Sequence, residues 1–97
     1  MNVIDINFLK DAKFENLQYL FFADINLKKI DIFGSISFKQ SKILTLGGNI
    51  ISNIRTLSKV DFKELGDLIL YDNHISDIEV LDEVTFPKLK LLIYQVI

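Results

Sequence analysis

The sequence predicts an α/β solenoid, a coil of four turns with one short parallel strand per turn. Three observations lead there. Phe14, Phe38, Phe62 and Phe86 recur every 24 residues without a gap, and a fixed period of about 20–50 residues marks a repeat architecture. The remaining apolar positions fall into the same frame. Within each unit, the apolar spacing switches from two to three.

The frame is tested column by column. Leu17, Leu65 and Leu89 align, with Ser41 the exception; Leu20, Leu44, Leu68 and Leu92 align, as do Phe22, Leu46, Leu70 and Tyr94. Later in the unit come Val3, Leu27, Ile51 and Ile75, then Ile6, Ile30, Ile54 and Ile78. Leu9, Phe33, Leu57 and Leu81 follow, and after them Ala12, Ile36, Val60 and Val84. A helical bundle produces stripes at three- and four-residue spacing but has no reason to hold every stripe in one 24-residue frame.

Each unit begins with its strand. Leu68 and Leu70 alternate with Asp67, Ile69 and Tyr71, so the first pair points to one side of a strand and the others to the opposite side. The repeat places strands near 18–22, 42–46, 66–70 and 90–94. From Ile75 the period is three, through Ile78, Leu81 and Val84, which suits a 3₁₀ turn, a short helical turn or an extended segment on the back of the coil. Ser76 and Glu79 have the spacing of a capping box for that segment. Asn49 and Asn73 follow their strands, where an amide satisfies the backbone groups of a tight bend. Ile25 and Ile97 hold the equivalent positions and cannot do so, so the first bend is expected to differ, with Asn26 as the substitute, and the first repeat to be the least regular.

The unit seen best from Phe62 to Thr85 reads Phe-x-x-Leu-x-x-Leu-x-Leu-x-x-Asn-x-Ile-x-x-Ile-x-x-Leu-x-x-Val. It resembles the leucine-rich repeat, whose core is Leu-x-x-Leu-x-Leu-x-x-Asn-x-Leu. The resemblance covers essentially the whole chain, read as a single domain over 1–97, and its units look like those of short cytoplasmic arrays of the phosphatase-regulator and internalin types. It implies strands lining a concave face, 3₁₀, helical or extended segments on the convex side, a ladder of asparagines, and a non-catalytic role in binding other proteins.

Composition narrows the function classes. With 49% hydrophobic and 25% charged residues, the chain is globular in character and not disordered. A formal net charge of −2 offers no basic stripe to neutralise phosphates, so nucleic acid is not an expected partner. The longest apolar runs, Tyr19 to Ala23 and Leu91 to Tyr94, fall far short of the roughly 20 residues that span a bilayer, and no membrane span is expected. Met1 to Asp5 lacks the basic and apolar regions of a secretory signal. There is no cysteine, and no asparagine opens a glycosylation site. Together these lead to a cytoplasmic expectation.

No catalytic constellation emerges. His74, the one histidine, stands beside Asp72, Asn73 and Asp77, but its column is an outward loop position held by Asn2, Asn26 and Ile50 in other units. The stretch from Asp72 to Asp77 lacks the central Gly and terminal Glu of a calcium loop. Gly47-Gly48-Asn49 has no phosphate-loop Lys and reads as a close bend. Lys28-Lys29 reads as ordinary surface. The expectation is a protein that is not an enzyme and takes no metal or cofactor.

The outward strand positions form the candidate binding surface: Tyr19, Phe21, Ile43, Thr45, Asp67, Ile69, Leu91 and Ile93, followed by Tyr71. Most are apolar, and a contiguous apolar patch on a protein surface marks an interaction site. The expected function is binding of a protein partner through this face. The alternative is head-to-tail stacking into a homo-oligomer or filament through uncapped ends, covering Leu92, Tyr94 and Val96. A third reading makes the chain a piece of a longer array.

Overall fold

A computed structural model describes residues 2–12 and 15–96. Four strands, β1 (Tyr19–Phe21), β2 (Ile43–Thr45), β3 (Asp67–Ile69) and β4 (Leu91–Ile93), form one sheet in the order β1-β2-β3-β4. All neighbours are parallel, and every register pair is offset by one repeat: Leu20 lies beside Leu44, Leu44 beside Leu68 and Leu68 beside Leu92. The strands fall inside the four windows expected from the sequence. Parallel neighbours need a long crossover, and here each crossover carries a 3₁₀ turn: η2 (Asp31–Ser35), η3 (Arg55–Lys59) and η4 (Glu79–Asp82), preceded by η1 (Asn7–Asp11). The result is an α/β repeat arrangement, with the sheet on one side, the row of 3₁₀ turns on the other and the apolar core between them.

The core is the set of in-register columns. Leu44, Leu46, Leu68, Leu70, Ile51, Ile75, Phe33 and Leu57 have no measurable exposure. Phe38 and Phe62 stack with ring centroids 6.1 Å apart, and Phe62 and Phe86 at 5.6 Å, so the three described members of the Phe column form one pile through the molecule. Phe14 lies outside the described residues. Phe33 meets Phe38 edge-on at 5.2 Å and ties the back of one unit to the start of the next.

The strands are only three residues long, yet the inter-unit bonding runs past them. The N–H of Phe22 donates to Thr45 O at 2.9 Å, that of Leu46 to Ile69 O at 2.8 Å and that of Leu70 to Ile93 O at 2.7 Å. At the strand starts, Gln18 O accepts from both Lys42 and Ile43, Lys42 O from Gly66 and Asp67, and Gly66 O from Lys90 and Leu91. The bends repeat as well. Asp24, Gly48 and Asp72, one per unit, all adopt positive φ, at 57°, 71° and 55°. That region suits Gly and, less well, Asp or Asn. At Gly48 the missing side chain also leaves room for the Asp24 carboxylate, which would have to move aside for a Cβ there.

Three expectations need correction. Val3 and Leu17 are 52% and 41% exposed and Ala12 is exposed as well, although their columns are buried in the two middle units. They lie on the outer side of the first unit, where no described residue packs over them. In the last unit Val80 is buried at 1% exposure while Leu81, the expected core position, is only half-buried. Leu81 still packs against the core, and Ile78, Val84, Phe86, Leu89 and Leu92 of the same unit are half-buried with it, since no described residue lies over their outer side; η4 is also one residue shorter than its siblings and ends on Glu83 in the helical region, whose N–H bonds to Val80 O, whereas the other three turns end on an extended residue. Finally, the Ser76–Glu79 box does not form; the Glu79 N–H is held by Asp77 Oδ1 at 3.0 Å. The same Asx turn recurs at Asp5 to Asn7 and Asn53 to Arg55, at 2.8 and 2.9 Å. Lys29 occupies this column in the second unit and has no acceptor to offer.

Candidate binding face

The open face of the sheet is positioned from within by two buried asparagines. Asn49 Nδ2 donates to Phe22 O at 2.7 Å and Leu46 O at 2.9 Å, while its Oδ1 accepts from the N–H groups of Ile25 and Leu27, both at 3.0 Å. Asn73 repeats the arrangement one unit on, donating to Leu46 O and Leu70 O at 2.9 Å each and accepting from Ile51 N–H at 3.0 Å. Each of the two residues is 5% exposed. Each therefore ties the end of its own strand to the unit before it, and the two share the Leu46 carbonyl. This explains how the first bend survives without its own asparagine: Asn49 reaches back to supply it. Asn26 takes part through its backbone, with φ at 55° and its carbonyl accepting from Ile4 N–H at 3.1 Å. The expected side-chain substitution by Asn26 is replaced by this neighbour's reach.

With the strands so fixed, alternate side chains leave the sheet in two rows. Tyr19, Ile43, Asp67 and Leu91 stand in register in one, and Phe21, Thr45, Ile69 and Ile93 in the other. Tyr19, Phe21, Leu91 and Ile93 are 54%, 69%, 43% and 38% exposed, and the four central residues are half-buried by their neighbours. Tyr71 continues the face. Its ring covers Gly47, where a Cβ would stand 3.1 Å from Tyr71 Cε1, so the missing side chain at Gly47 is what lets the ring lie down. All nine residues of the expected binding surface thus lie on one side of one sheet. Of the three residues expected in an end-to-end contact, Leu92 is half-buried and Tyr94 and Val96 are exposed, on or just after the edge strand β4.

Charge is distributed unevenly around this face. A groove of about 480 Å³ at the strand starts is lined by Tyr19, Lys42, Ile43, Glu64, Gly66, Asp67, Lys88 and Lys90. There Lys88 Nζ approaches Glu64 Oε2 to 2.5 Å, and the hydrogen bond from Lys88 holds the Glu64 carboxyl below its ordinary value. At the other ends of the strands stand Asp24 and Asp72, both exposed. His74 is exposed, and its N–H bonds to Ile51 O at 2.8 Å. Among the described residues no group of three or more His, Cys, Asp or Glu is placed to hold a metal ion, and no helix is long and apolar enough to cross a membrane.

The shared column of left-handed bends at Asp24, Gly48 and Asp72 was not anticipated, and neither was the backward reach of the asparagines. The first had a signal in the sequence, since Asp, Gly and Asp recur there at 24-residue spacing. The second had none, because a side chain's partner in another unit depends on how the units stack. No family model and no curated protein matches this chain.

Proposed function

We propose that this chain is a leucine-rich-repeat-type solenoid and that its open sheet face binds a protein partner. One observation supports the binding reading above the others: the aromatic and aliphatic side chains Tyr19, Phe21, Tyr71, Leu91 and Ile93 are all exposed on one side of a sheet whose backbone is held rigid from behind. Aromatic and aliphatic groups presented on a preorganised surface are the usual carriers of binding energy at protein interfaces. Strand propensity alone accounts for an occasional exposed Ile or Tyr, but it does not call for Phe21 at 69% exposure beside four further exposed apolar groups.

The reading is tested by capture on the immobilised chain from a native lysate. Tyr71→Asp places a charge on the face, just past the end of β3, while leaving intact the Tyr71 backbone carbonyl, which accepts from Gly48 N–H. It is expected to abolish capture with an unchanged circular dichroism spectrum. Arg55→Asp, on η3 at the far side, is expected to leave capture intact. Equal loss from both would move the site off the sheet.

A further inference from the structure

The two ends of the coil are open halves of one repeat. Among the described residues the chain starts with a back segment, η1, that has no strand before it, and stops with a strand, β4, that has no 3₁₀ turn after it. Side chains left open at each end are the ones a neighbouring unit covers inside the molecule. Leu65, Leu68 and Leu70 have no measurable exposure, whereas Leu89 and Leu92 of the same columns are half-buried in the last unit and Tyr94 is 41% exposed. At the first unit Val3 and Leu17 are 52% and 41% exposed, where Ile51 and Leu65 of the same columns are fully buried.

The backbone repeats this complementarity. At each internal junction the N–H just after a strand donates to the last carbonyl of the next strand, as Leu46 does to Ile69. The carbonyl just before a strand accepts from the start of the next one, as Gly66 does from Lys90 and Leu91. By the same register the outer edge of β4 is left with the Tyr94 N–H and the Lys90 carbonyl, and that of β1 with the Phe21 carbonyl and the N–H groups of Gln18 and Tyr19. The donors of one edge thus meet the acceptors of the other in a parallel arrangement, while β4 could meet a second β4 only in an antiparallel one.

We propose that a second copy of this chain continues the coil, with β4 of one molecule paired in parallel to β1 of the next and η1 of the next supplying the back segment that β4 lacks. The contact is continuous with the interface that already joins unit to unit, and it is separate from the open sheet face. It is heterologous, so it closes into a ring or runs on as a filament. It is also weaker than the internal junctions. Asn49 and Asn73 each reach back to a carbonyl of the unit before, Phe22 O and Leu46 O, but Ile25 holds that column in the first unit, so the Tyr94 carbonyl receives no amide. The register sets Asp5 beside Asp77 and Asp11 beside Glu83, against one opposite pair, Lys10 with Asp82, all of them exposed. Assembly is therefore reversible and is strengthened by salt, which screens the like charges.

The test is sedimentation and electron microscopy of the purified chain at rising concentration, with rings or fibres expected, and with more of them at higher sodium chloride. Leu17→Lys places a charge in the first end and Tyr94→Lys one in the last; both replace exposed residues, and circular dichroism with thermal melting establishes that they fold. Each variant alone is expected to stay monomeric, and an equal mixture to form a dimer through the end that each retains. Ile25→Asn offers the missing amide to the Tyr94 carbonyl and is expected to lower the concentration for half-assembly by about ten-fold. A chain that stays monomeric up to its solubility limit would overturn the inference and leave the binding face standing. Self-association of Leu17→Lys alone would also overturn it, by showing that two last ends meet about a two-fold axis. So would assembly that Tyr71→Asp dissolves, which would place the contact on the open sheet, or a folded Ile25→Asn chain that assembles no more tightly.

Discussion

Replacing Asn73 by Ala tests the physical basis of the repeat most directly. The residue is 5% exposed and its side chain makes bonds in two units: Nδ2 to Leu46 O and Leu70 O at 2.9 Å and Oδ1 from Ile51 N–H at 3.0 Å. Leu46 O keeps its bond from Asn49 Nδ2 at 2.9 Å in the variant, and Tyr71 O keeps the Gly48 N–H. Two groups are left without a partner, the Ile51 N–H and the Leu70 carbonyl, both in residues with no measurable exposure. At about 1–3 kcal/mol for each buried orphan, Asn73→Ala should cost about 2–6 kcal/mol. A domain of this length has about 5–15 kcal/mol in total, so the variant should be visibly destabilised in urea unfolding followed by circular dichroism. Asn53→Ala is the matched control. Its Oδ1 accepts only the exposed Arg55 N–H, and losing such a capping bond costs about 0.5–1 kcal/mol. Equal losses for the two, or a loss under about 1 kcal/mol for Asn73→Ala, would refute the assignment of Asn73 as the tie between units.

Three further outcomes follow from the core and the back of the molecule. Phe62→Ala removes the ring between Phe38 and Phe86 and should cost about 3–5 kcal/mol, seen as a large drop in thermal midpoint; a small drop would contradict its burial. Ser41 stands fully buried in a column otherwise built from Leu, and its hydroxyl has no hydrogen-bond partner. Ser41→Ala should therefore raise stability by about 1 kcal/mol in urea unfolding, and a loss of that size would show that the hydroxyl is satisfied. Lys29→Asn restores the missing Asx turn before η2 and should add about 0.5–1 kcal/mol, with no gain counting against the recurrence of that cap.

Much of this architecture was legible in the sequence because a repeat states the same physical requirement several times. A single Leu at position 68 says little, but Leu20, Leu44, Leu68 and Leu92 at equal spacing identify one inward column, and the intervening positions are thereby assigned to the open face. The strands, their parallel order and the nine residues of the candidate face follow from that frame, whereas the period of three left the back of each unit open between a 3₁₀ turn, a short helical turn and an extended segment. The frame was least reliable where a unit lacks a neighbour or breaks its own pattern. Val3, Ala12 and Leu17 follow the apolar columns and yet are exposed, because burial is conferred by units packed on both sides and not by the residue alone. Val80 joins the core in the last unit while Leu81 packs at its half-buried edge, a difference that apolar spacing does not encode. The asparagines show the division most clearly. Their identity and position after the strand were readable, since only an amide offers both donors and an acceptor to a tight bend. Their partners were not: Asn49 holds Ile25 and Leu27, and Asn73 holds Ile51, across distances in sequence that close only when one unit lies on the next. Periodicity sets which side of the chain each residue faces, and stacking decides what it meets there, because a side chain's direction is a local property and its contacts are not.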